Sequence, residues 1–97
     1  MFPKHRHELP IPAAASDDAE ARELVRVWAA GGNQHISLAT GLWDDPAAWG
    51  IMLVDLARHV ARAYARDSDA HPDELLRRIR EGFDAEWEAP TDEPVPT

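Results

Sequence analysis

Three side chains capable of proton or metal chemistry sit near one another in this chain: His35, Asp44 and Asp45, with Trp43 beside the carboxylates. An imidazole and two carboxylates are enough for general acid–base work or for a metal site. Trp43 would add an aromatic wall to a ligand pocket. The spacing does not by itself force these groups to converge. Asp45 directly precedes Pro46, the arrangement expected where a helix begins. Asp44 and Asp45 also suit the positive end of a helix dipole. The structural reading of this cluster therefore stands beside the ligand-site reading.

A second candidate is Arg58, Arg62 and Arg66, which recur every four residues. On a helix they form one stripe that can meet an anion or an acidic partner, or simply face water. The acidic residues Glu88, Asp92 and Glu93 can fold back onto that stripe in cis. His5 and His7 make a His-x-His pair, but an extended arm gives a metal neither fixed geometry nor supporting hydrogen bonds. His59 sits at the edge of an apolar stripe with Asp55 one turn before it, close enough on a helix to hold the ring. His71 precedes Pro72 at the start of another helix. No serine stands beside an evident base. Gly31-Gly32 follows a strand but leads into another strand, so it is no phosphate loop. No catalytic residue, cofactor motif or metal site is expected.

The elements that would position these groups follow from pattern. Glu23–Ala30 and Gln34–Thr40 alternate as strands around Gly31-Gly32-Asn33. A two-residue turn at Gly31-Gly32 pairs Val27 with Ile36 and Val25 with Leu38, and one at Gly32-Asn33 preserves the same parity; either keeps each apolar set on one face. Leu24, Arg26, Trp28, His35, Ser37 and Ala39 occupy the other face, which is apolar enough to need partial cover. A helix is expected from Pro46 to about Arg66, with Asp45 as its cap. Trp49, Met52, Leu53, Leu56, Val60, Ala63 and Tyr64 make its main apolar stripe. Ile51 and Val54 fall on the opposite side, so its first half is apolar nearly all round. A second helix is expected from Pro72 to about Glu88, with Leu75, Leu76, Ile79, Phe83 and Trp87 inward. Its outer side carries acid–arginine pairs such as Arg77/Glu81 and Arg80/Asp84. The expected fold is α+β, a β-hairpin followed by two helices. It divides into an extended arm over residues 1–22, a compact domain over 23–88 and a disordered acidic, Pro-rich tail over 89–97. Ser16–Arg22 allows one helical turn in the arm, with Ser16 as cap.

Composition narrows the function classes. The chain has 97 residues, no cysteine and a net charge of -8. Disulfides and thiolate metal sites are excluded. The negative charge argues against nucleic acid, whose binding needs phosphate neutralisation. The longest apolar run, Trp49 to Val54, is too short for a bilayer, and no signal peptide is evident. A cytoplasmic protein is expected. A domain this small is marginal alone, and oligomerisation is the remedy left open.

Trp28–His35, Gly41–Pro46 and Leu53–Val60 together resemble a small bacterial family, domain of unknown function 5076. The resemblance covers roughly residues 22 to 88. It implies a compact α+β domain from a proteobacterium and brings no reaction, ligand or catalytic residue with it. The expected function is a non-catalytic homodimeric interaction or regulatory module. Its dimer contact would be the Ile51/Val54 helix face or the hairpin edge, and its protein partner is open. The alternative is a small-ligand protein or enzyme with a polar site near His35, Asp44 and Asp45.

Overall fold

The computed structural model describes residues 4–96. Residues 1–3 of the expected arm and Thr97 of the expected tail lie outside the described residues. Along the chain run α1 (Ala13–Ser16), β1 (Val25–Ala30), β2 (Asn33–Leu38), α2 (Ala47–Arg66), α3 (Pro72–Glu88) and β3 (Val95–Pro96). The class is α+β, with the hairpin and two long helices in the expected order.

Of the two registers the parity allows, the hairpin takes the one with its turn at Gly31-Gly32. Val25 pairs with Leu38, Val27 with Ile36 and Trp28 with His35. Gly31 and Gly32 form the turn with φ of +60° and +82°. Two consecutive positive φ values make a turn whose twist matches the strands, and glycine adopts them without a Cβ clash. Val25, Val27 and Leu38 share one face of this ribbon, and Arg26, Trp28 and His35 share the other.

The helix pair is an antiparallel hairpin. α3 packs on α2 alongside Ala61, which is 2 % exposed. On α2, Ala57, Ala61 and Ala65 recur at four-residue spacing, and small side chains let two helices approach closely. Leu75, Leu76 and Ile79 of α3 are half-buried. The outer side of α3 is laced by Arg77–Glu81, Arg78–Glu81 and Arg80–Asp84 pairs at 3.7, 3.4 and 3.1 Å. Such exposed pairs add little stability each.

Three features differ from the sequence expectation. The helical turn in the arm lies at Ala13–Ser16, one step earlier than Ser16–Arg22, and Ser16 ends it instead of capping it. The alanine run supplies that helix propensity. Within 89–97, Val95 and Pro96 form a short strand parallel to β2, opposite His35 and Ile36. Glu86 sets up this return: its carboxylate accepts the Thr91 N–H at 2.9 Å and the Thr91 hydroxyl at 3.0 Å. The third difference is the largest. No Cα of the sheet lies within 8 Å of a Cα of either long helix. The two layers are joined by residues 39–46 and 89–94 and make no close backbone approach to each other.

Large apolar side chains are therefore open to solvent on both layers. Ile51 is 67 % exposed and Trp87 75 %. Leu53, Val54, Leu56, Phe83, Val27 and Leu38 are exposed to about half their area. Among the described residues, no helix is long and apolar enough to cross a membrane.

Candidate functional site

The corner between β2 and α2 carries Trp43, Asp44 and Asp45. The Asp45 carboxylate accepts the Ala47 N–H at 2.9 Å. Its carbonyl accepts the Ala48 N–H at 3.1 Å. These bonds satisfy donors that the first helical turn leaves without a partner, so Asp45 performs the cap. Pro46 follows with φ -62° and ψ -14°, already helical in conformation. The helix as delimited starts one residue later than expected, at Ala47, an ordinary end effect. Trp43 rests edge to face on Trp49, ring centroids 4.9 Å apart. Asp44 is exposed in the bend before the cap.

His35 is engaged elsewhere. Its Nε2 lies 3.2 Å from the Ala30 carbonyl at the hairpin turn, opposite Trp28 on β1. Among the described residues no three His, Asp or Glu side chains are grouped to hold a metal ion. Of the four candidates, Trp43, Asp44 and Asp45 are neighbours at the corner, whereas His35 bonds at the turn end of its strand.

The arginine stripe is present as read. Arg58, Arg62 and Arg66 are exposed along α2. Among the described residues none of the three is in an ion pair, in contrast to Arg77, Arg78 and Arg80 on α3. Glu88, Asp92 and Glu93 do not reach them either; the segment beyond α3 turns toward β2 instead. Asp55 and His59 likewise make no ion pair or hydrogen bond with each other. His71 acts at its helix start: its Nδ1 accepts the Asp73 N–H at 3.1 Å.

One cluster was not evident from spacing. Arg26 donates from Nε and Nη2 to the two carboxylate oxygens of Glu23, at 2.7 and 2.9 Å. This fork-to-fork geometry is the strong form of an arginine–carboxylate pair. Its hydrogen bonds hold the Glu23 carboxyl below its ordinary value and raise the guanidinium further. Arg26 also lies 3.6 Å from Glu8 of the arm. His5 packs edge-on against Trp28, ring centroids 4.9 Å apart. The arm is thus docked over the Arg26/Trp28 face of the hairpin, the cover that face needed. Between arm and β1 runs an open groove of roughly 630 Å³, with Leu9, Ile11 and Ala15 on the arm side and Val25, Val27 and Trp28 on the strand side. The signal in the sequence was the half-apolar face itself, since the charges that meet there are far apart along the chain.

Comparison with known proteins places the chain among relatives. The family model described as "Domain of unknown function (DUF5076)" matches residues 8–91. A solved structure from the photosynthetic bacterium Rhodopseudomonas palustrus CGA009, carrying a provisional pyruvate dehydrogenase designation, is 39 % identical with a TM-score of 0.72. The match covers 97 % of this chain and 93 % of that one. No curated protein matches.

Proposed function

The chain belongs to the DUF5076 family, and we propose that it is a non-catalytic, homodimeric interaction and regulatory module of the bacterial cytoplasm. The observation that carries this reading is surface. A folded monomer of this mass exposes about 5,500 Å². This chain exposes 8778 Å². Its radius of gyration is 15.8 Å, where a compact chain of the same length has about 12.5 Å. The extended ends account for part of the excess. The rest includes apolar side chains on the faces that a folded domain normally turns inward.

The polar residues favour the same reading. Asp45 is used by the helix start and His35 by the Ala30 carbonyl. The pyruvate dehydrogenase designation belongs to the relative. Oxidative decarboxylation of a 2-oxo acid needs an electron sink that a cofactor provides, and at the corner Asp45 and Trp43 are engaged in starting the helix and packing on Trp49. The Arg58/Arg62/Arg66 stripe, without acidic partners of its own, is the surface we assign to an acidic protein partner.

Sedimentation equilibrium tests the dimer. The expected result is twice the chain mass throughout the micromolar range, with an unfolding midpoint that rises with protein concentration. A monomer at about 50 micromolar, far above the range of a stable complex, would falsify the reading.

A further inference from the structure

We propose that the dimer is reciprocal: the sheet of each copy lies across the helix pair of the other. This inference rests on the dimeric reading and adds which faces meet. The sheet has one face to offer. Its Arg26/Trp28 side is covered by the arm through His5 and Glu8, while on the other side Val27, though it borders the arm groove, and Leu38 are still 54 % and 53 % exposed. The helix pair has two exposed apolar sides, Ile51/Val54 and Leu53/Leu56, and the second is the one assigned to the sheet of the other copy. On α2, Leu53 and Leu56 project from the flank opposite the arginine stripe, as the helical period requires. Both remain about half exposed after α3 has packed.

In an α+β domain such a sheet and such a helix pair cover each other. Within this chain they stand apart, with no close backbone approach between them. A dimer joined only through its helices would leave both sheet faces bare. One joined only through its sheets would leave both helix faces bare. Exchange across a two-fold axis covers all four faces and closes at two copies, because each copy gives one sheet and receives one. The area agrees. The excess exposure is roughly 3,200 Å² per chain against the monomer scaling. Obligate dimers bury about 2,000 to 5,000 Å² in total, half of it from each partner.

The absence of cysteine makes the test clean, since every introduced thiol is unique. Val27→Cys and Leu56→Cys chains, carrying different tags, are unfolded, mixed, refolded together and treated with a short bismaleimide. The expected product has twice the chain mass and both tags, whereas either variant alone stays at the chain mass. Self-linking of Leu56→Cys means that helices meet helices, and self-linking of Val27→Cys means that sheets meet sheets. Either result overturns the reciprocal arrangement. So does a V27C/L56C double variant that links within a single chain. Dimers by sedimentation that give no mixed product overturn it too, and leave the dimeric reading standing. A monomer by sedimentation removes both. Leu38→Cys with Leu53→Cys repeats the experiment if either first substitution prevents folding, with the same expected and overturning products.

Discussion

The indole of Trp43 meets that of Trp49 edge to face, with ring centroids 4.9 Å apart and planes inclined at 74°. The contact spans the start of α2, bridging Asp45 and Pro46. It therefore sets the direction in which the chain leaves the sheet and enters the helix. Residues 39–46 are one of the two links between layers whose backbones do not approach closely elsewhere, so this pair helps fix where the helices stand.

Replacing Trp43 with Ala should lower stability by about 2 kcal/mol, less than for a fully buried indole because Trp43 is partly exposed. Trp43→Phe should avoid most of the loss, since an aromatic edge remains to pack on Trp49. Urea unfolding followed by far-ultraviolet circular dichroism measures both. An alanine variant with an unchanged midpoint would show that the corner stands without the pair.

The docked arm should respond to acid. Hydrogen bonds from Arg26 depress the Glu23 carboxyl below its ordinary value of 4.5. A depressed acid contributes fully above that ordinary value and loses its contribution as pH falls through the lower folded value. Acidification should therefore loosen the Glu23–Arg26 fork, and with it the arm that Arg26 holds through Glu8. The Trp28 indole resonance should shift across that acid range. Arg26→Gln should give the loosened position at neutral pH and abolish the acid step. Glu23 is exposed, so the expected effect is on the arm's position and not on global stability.

The arginine stripe should be dispensable for folding. Replacing Arg58, Arg62 and Arg66 together by Gln should leave the unfolding midpoint almost unchanged, because exposed sites without partners shift stability by about 0.5 kcal/mol or less each. Capture of a poly-glutamate peptide should be lost in the same variant and should weaken steeply with salt in the parent chain. Retained capture in the triple variant would move the acidic partner's site elsewhere.

What could be read from the chain divides along a physical line. The hairpin register was legible because Gly31-Gly32 admits a two-residue turn and the alternation allows one parity. Both long helices were legible because Asp45-Pro46 and His71-Pro72 mark their starts and the apolar period continues behind them. The site residues were legible as candidates only: spacing placed His35 and Asp45 in neighbouring segments, while backbone geometry sent one to the Ala30 carbonyl and the other to the Ala47 N–H. The arm contact was hidden, because Glu8 and Arg26 meet through the tertiary path of the chain and no local pattern encodes that. The separation of the layers was hidden for the same reason. Periodicity says which side of an element avoids water, and it does not say which chain provides the cover.

Proline at position 96 has a consequence for where the sheet can grow. Val95 and Pro96 lie along β2 at its outer side, and proline has no backbone N–H to donate to a further strand. That side of the sheet is blunted against pairing end on end with other molecules, a common hazard of small exposed sheets. The rim along β1, the other margin of the sheet, is where strand-by-strand polymerisation would have to begin, and there the arm and its groove already stand alongside.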